Sequence, residues 1–145
     1  MLAMIVSVQL SLALKSTLGS IVSDAPATDP PAVGIKIVNN TFVFPGLAAM
    51  ALRSKAMLVY NNLMHGGTVA ITNVTTGPNA GTFAPTFQVR GFNLNFNNSY
   101  QGMSPTATDI TANPRFVGGL APTTVAQLAL LPDSPARNAG AANGV

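Results

Sequence analysis

Ile35-Lys-Ile-Val-Asn39-Asn40-Thr-Phe-Val43 returns as Met57-Leu-Val-Tyr-Asn61-Asn62-Leu-Met-His65, and again as Asn93-Leu-Asn-Phe-Asn97-Asn98-Ser-Tyr-Gln101. The three Asn pairs lie 22 and 36 residues apart. Short apolar strands around a fixed polar corner, at a period in the twenties, are what a solenoid requires: one coil cannot bury its inner face alone and must stack on a neighbour. Asn suits such a corner. It tolerates left-handed backbone angles, and its carboxamide can hydrogen-bond to the same group one coil away, forming a ladder. The expected ladder residues are Asn39, Asn40, Asn61, Asn62, Asn97 and Asn98. The longer interval is assigned to a loop excursion near 73–86, which runs Asn73-Val-Thr-Thr-Gly-Pro-Asn-Ala-Gly-Thr-Phe-Ala-Pro-Thr86 and is rich in turn formers.

Two tail segments point the same way. Asp109-Ile-Thr-Ala-Asn-Pro-Arg-Phe-Val-Gly118 and Leu128-Ala-Leu-Leu-Pro-Asp-Ser-Pro-Ala-Arg-Asn-Ala-Gly140 resemble the closing signature of secreted, pectate-lyase-like right-handed parallel β-helix proteins. In that family the last coils read D-I-x-A-D-P-x-F-V and then L-x-P-x-S-P-A-I-D-A-G. Here the usual acids are Asn113 and Asn138, and the usual Ile is Arg137. The resemblance implies an all-β fold, a single-stranded right-handed parallel β-helix that is either short or truncated, covering about residues 34–140. Pro114 and Pro135 hold the residues before them extended and offer no N–H, which suits a sheet edge or a segment lying over it. Phe116, Val117, Leu128, Leu130 and Leu131 are then expected to plug the apolar interior. The resulting division is an apolar segment over 1–22, a proline-rich connector over 23–33, coils over 34–119, and a capping segment with its tail over 120–145.

Composition limits the function classes. Charged residues make up 8% of the chain, with a formal net charge of +3 and a pI of about 9.8. The seven cations, Lys15, Lys36, Arg53, Lys55, Arg90, Arg115 and Arg137, are scattered along the sequence. A nucleic-acid backbone would have no basic stripe to follow. Absence of cysteine excludes disulfides and thiolate metal sites. Residues 1–14 are apolar but too few to span a bilayer as a helix. From Val6 to Lys15 apolar and polar or small residues alternate, which favours a half-buried strand over a signal-peptide core or a pilin-like helix.

Candidate chemistry is sparse. By resemblance, β-helix lyases use an acidic Ca²⁺ cluster with a basic proton acceptor, and β-helix hydrolases use close aspartates. The four aspartates here, Asp24, Asp29, Asp109 and Asp133, sit in connector, tail or turn contexts and read as turn or cap residues. Arg53 and Lys55, two apart on one strand face, form the best basic pair for an anionic glycan. His65 reads as an exposed turn histidine beside Gly66-Gly67, and Tyr60, Tyr100, Phe42 and Phe96 as an aromatic stack inside the coils. No metal, cofactor or catalytic residue is expected. The favoured reading is a non-catalytic extracellular or cell-surface module for carbohydrate binding, adhesion or assembly, with a polysaccharide, a second copy or a larger parent protein as partner. The alternatives are a fragment of a polysaccharide lyase or hydrolase, and a filament subunit joined through its N-terminal strand.

Overall fold

The computed structural model describes residues 34–43, 48–52, 55–73 and 85–141, and the backbone of Ile21–Val22. The coils over 36–101 contribute a strand to each of three parallel sheets in turn, and a last, shorter coil adds one strand to the second. Sheet A holds β2 (Lys36–Val38), β5 (Met57–Tyr60) and β8 (Phe87–Gly91). Sheet B holds β3 (Thr41–Val43), β6 (Leu63–His65), β9 (Leu94–Phe96) and β11 (Ile110–Thr111). Sheet C holds β1 (Ile21–Val22), β4 (Ala48–Leu52), β7 (Val69–Asn73) and β10 (Ser99–Gln101). Each strand pairs in parallel with its equivalent one coil away, as Lys36 does with Leu58, Thr41 with Leu63 and Met50 with Ile71. The chain is thus an all-β, parallel β-solenoid. Among the described residues no helix is long and apolar enough to cross a membrane.

Strand alternation builds the interior. Ile37, Met57 and Val59 of sheet A, Phe42 and Met64 of sheet B, and Met50, Leu52 and Ile71 of sheet C meet in one cluster of fully buried side chains. Each such side chain contributes about 1.5–3 kcal/mol of transfer free energy, which is how strands of three to five residues are held together. The expected aromatic stack does not form as one unit. Phe42 and Tyr100 belong to the interior cluster, whereas Phe96 points out of sheet B, and Tyr60 lies on the opposite face of β5 from Met57 and Val59.

Interior chemistry changes along the stack. In the next coil Arg90 takes the register position below Val59, Asn95 that below Met64, and Tyr100 that below Ile71. Asn95 is buried, and its Oδ1 accepts a 3.1 Å hydrogen bond from the Thr111 hydroxyl. The Arg90 guanidinium lies 5.2 Å from the Phe87 ring centroid and donates through Nη2 to Ser104 O at 2.8 Å.

The tail corrects the expectation of an interior plug. Phe116 and Leu128 pack with Val43, Leu63 and Leu94, which face away from the interior, while Val117 is 59% exposed. The cap therefore lies along the outer face of sheet B. The two tail motifs hold each other: Val117 and Gly118 donate their N–H groups to Ala129 O and Gln127 O, and the Leu131 N–H donates to Arg115 O. The Ser134 hydroxyl donates to Pro114 O at 2.6 Å in a buried setting, and Arg115 pairs with Asp133 at the surface. Truncating Phe116→Ala leaves a cavity under this cap and is expected to cost about 3–5 kcal/mol in denaturant-induced unfolding, with strands β2 and β5 retaining their order in hydrogen exchange.

Candidate binding cleft at the asparagine corner

The corner between sheets A and B repeats in three successive coils. Its first residue is left-handed each time, with φ of 59° at Asn39, 57° at Asn61 and 53° at Phe92. An L-residue pays about 1–2 kcal/mol for that conformation, less for Asn, whose side chain bonds locally. The second residue builds the ladder. Asn40 donates through its backbone N–H (3.2 Å) and Nδ2 (3.1 Å) to Asn62 Oδ1. Asn62 does the same to Asn93 Oδ1, at 3.0 Å for both. Asn93 does the same to Asp109 Oδ1, at 2.9 and 3.1 Å.

The ladder is therefore Asn40, Asn62, Asn93 and Asp109, with sequence steps of 22, 31 and 16. Asn40, Asn62 and Asn93 are buried at 3%, 2% and 0% exposure, and their spare amide hydrogens reach Val38 O, Tyr60 O and Val59 O. The third Asn pair belongs elsewhere. Asn97 has φ of 56° at the corner between sheets B and C, where the preceding coil has Gly66 at 71°. Asn98 donates from Nδ2 to Met64 O and Gly66 O, bridging one coil to the next without joining the ladder. Sequence reasoning missed Asn93 and Asp109 because both fall outside an Asn-Asn pair. Their signal was positional: each immediately precedes a strand of sheet B, as Asn40 and Asn62 do.

Above the ladder lies a cleft of about 310 Å³. Asn39, Asn61 and Phe92 line it from the corner, Leu63 and Leu94 from sheet B, and Ala139 and Gly140 from the tail. Among the described residues, no charged side chain lines it. Asn39 is exposed, and Phe92 is 37% exposed. Asn61 pins the tail across the opening, accepting the Ala141 N–H at 2.9 Å and donating to Ala141 O at 3.5 Å. A methyl group added at Gly140 would come 3.0 Å from Asn61 Oδ1, so glycine is what lets the tail approach this corner.

Lys55, His65, Asp109 and Tyr100 are not among the residues that line this cleft. Arg53 lies outside the described residues, and Lys55 is half-buried at the turn into β5, its carbonyl accepting the Gly34 N–H. His65 is not an exposed turn residue: it ends β6, is 1% exposed, stacks on Phe96 at 5.7 Å and meets Phe116 edge-on at 5.5 Å. Its Nε2–H donates to Leu120 O at 2.9 Å, so it ties the tail to sheet B. Asp109 has both oxygens engaged, Oδ2 accepting the Thr106 N–H at 2.7 Å. Burial, and then the neighbouring Asp109 carboxylate, push the Tyr100 phenol well above its usual value, which leaves it protonated and unsuited to act as a base.

No protein-family model matches this chain, and comparison with curated proteins and with solved structures gives no significant match. Function is argued from the site alone. Replacing Asn62→Ala strands two donors on Asn40 and takes from Asn93 Oδ1 one of the two hydrogens it accepts, leaving it the backbone N–H of residue 62. It should cost about 1–3 kcal/mol, read as a lowered thermal midpoint, while Asn97→Gly, which keeps the left-handed corner, should shift it little.

Proposed function

We propose that this chain is a binding module of a right-handed parallel β-helix protein, displayed outside the cell or on its surface, that holds a neutral saccharide unit in the asparagine cleft. Parallel crossovers within one sheet are right-handed in about 98% of cases, which supports the handedness. The observation that carries the ligand class is Phe92. Two preceding coils place Asn at this left-handed corner; this coil places a partly exposed aromatic ring there, at a backbone cost that Asn would largely avoid. Strain retained at the rim of a cleft is what a binding platform would explain.

The chemistry around that ring suits a sugar. An aromatic face stacks on the C–H face of a pyranose, the Asn39 amide can both donate to and accept from hydroxyl groups, and Leu63 and Leu94 give an apolar floor. The described lining residues are uncharged and offer no counter-charge for a uronate or a sulfate, so the ligand class proposed moves from the anionic glycan suggested by Arg53 and Lys55 to a neutral one. The volume lies at the lower end of ligand pockets and suits one residue or a chain end. A binding role is also supported by the engagement of both Asp109 oxygens, which leaves that carboxylate no free position for acid–base work.

NMR titration with neutral gluco- and manno-oligosaccharides, and with oligogalacturonate as the charged comparison, tests this reading. A neutral sugar is expected to shift the Asn39 and Phe92 signals. Phe92→Asn should abolish those shifts while raising the thermal midpoint by about 3 °C, as relief of roughly 1 kcal/mol of strain requires. Binding of neutral sugar that survives in Phe92→Asn, or binding of oligogalacturonate alone, would overturn it.

A further inference from the structure

The asparagine corner is built three times, and among the described residues the tail hydrogen-bonds to one of the three. The corner holds the same left-handed backbone at Asn39, Asn61 and Phe92, and the second residue of each turn carries the ladder. The Asn61 carboxamide is therefore not needed to make the turn. Its two polar atoms are engaged instead by one residue, Ala141, whose N–H donates to Oδ1 at 2.9 Å and whose carbonyl accepts from Nδ2 at 3.5 Å.

That hold is light. The tail is anchored as far as Arg137: the buried Ser134 hydroxyl donates to Pro114 O at 2.6 Å, its Oγ accepts the Ala136 N–H at 3.1 Å, and the Ser134 carbonyl accepts the Arg137 N–H at 3.1 Å. Asn138 then turns the chain with φ of 60°. Among the described residues, the hydrogen bonds of 138–141 are the two with Asn61. Ala139 and Gly140 line the cleft without a large side chain to fill it. A stretch fixed by so few bonds opens at far lower cost than the coils beneath it. It forms a strap, hinged at Asn138 and latched at Asn61.

The group under the latch has the chemistry to hold a ligand. The N–H and C=O of one residue present a donor and an acceptor side by side. Two adjacent hydroxyls of a sugar do the same, one giving its hydrogen to Oδ1 and the other taking one from Nδ2. Asn61 also stands between the two residues expected to touch the saccharide. Successive coils rise by about 4.8 Å, so a saccharide reaching from the Phe92 ring towards Asn39 passes over Asn61. We infer, on the saccharide reading of the cleft, that Asn61 is a third sugar-binding amide, that its ligand carries a vicinal diol, and that the tail strap closes the site by taking the diol's place. Binding then requires the strap to lift, and the affinity of the intact chain scales with the fraction of molecules in which it is open.

Ala141→Pro in the full chain removes the N–H that latches the strap and leaves the cleft side chains unchanged. Without sugar, the Asn61 Nδ2 hydrogens of this variant are expected to gain relaxation from a neutral paramagnetic chelate in solution; no gain would overturn the strap. With the neutral gluco- and manno-oligosaccharides, Ala141→Pro is expected to bind about tenfold more tightly than the unmodified chain, as loss of about one or two net hydrogen bonds implies. Gly140→Ala, whose methyl meets Asn61 Oδ1 at 3.0 Å, acts in the same direction. Asn61→Gly keeps the left-handed corner and also releases the strap, but it removes the amide and is expected to bind more weakly than Ala141→Pro. Affinity unchanged or reduced in Ala141→Pro would contradict the gating, and Asn61→Gly binding as tightly as Ala141→Pro would remove Asn61 from the site. If no sugar binds to any of these proteins, the saccharide reading falls and the role of Asn61 with it, while the paramagnetic measurement still decides whether the strap lifts.

Discussion

The structure depends on a chain of carboxamides in which each Asn gives both of its outward hydrogens to the oxygen of the next coil. In coils linked by strands of three residues, backbone pairing alone fixes little, because a shift of one residue would move every side chain to the other face. The ladder removes that freedom at the corner between sheets A and B. It also satisfies donors that a tight, buried turn would otherwise leave unpaired. Coil length can then vary, with steps of 22, 31 and 16 residues, because the extra chain is accommodated where sheet C returns to sheet A or where the last coil shortens.

The ladder also separates the two faces of sheet B. Inside, apolar packing gives way along the stack to Arg90, Asn95 and Tyr100. Outside, the tail folds back over Leu63 and Leu94, secured by His65 and Phe116 and fastened at Asn61 by a pair of amide hydrogen bonds. The cleft is a product of this arrangement, with a corner of amides as one wall and the tail as the other. The corner, the cleft and the cap share a residue here, since Asn61 turns the corner, lines the cleft and holds the tail.

Much of the architecture was legible in the sequence, since the repeat Ile35–Val43 and Met57–His65 has the register found between β2 and β5 and between β3 and β6. The Asn97-Asn98 pair misled because identical residues serve two different corners: both need a left-handed residue, and Asn meets that need at either. Counting from strand to strand, rather than from Asn to Asn, would have found Asn93 and Asp109. His65 was misread because the adjacent glycines mark a turn, while its burial depends on Phe116, fifty-one positions later, which no local pattern reveals. The apolar residues of the tail were expected to pack on the coils, and Phe116 and Leu128 do, but the direction of that packing was not foreseen. An apolar segment with two prolines fits either the end or the flank of a solenoid, and the outward row Val43, Leu63 and Leu94 decides for the flank.

The most direct measurement of the central claim is NMR detection of scalar couplings across the ladder hydrogen bonds in the uniformly labelled protein. The account predicts three connectivities from backbone amide nitrogen to side-chain Cγ: Asn40 to Asn62, Asn62 to Asn93, and Asn93 to Asp109. Couplings that run instead from Asn62 to Asn97 or Asn98, or a spectrum in which Asn62 and Asn93 show none, would contradict it.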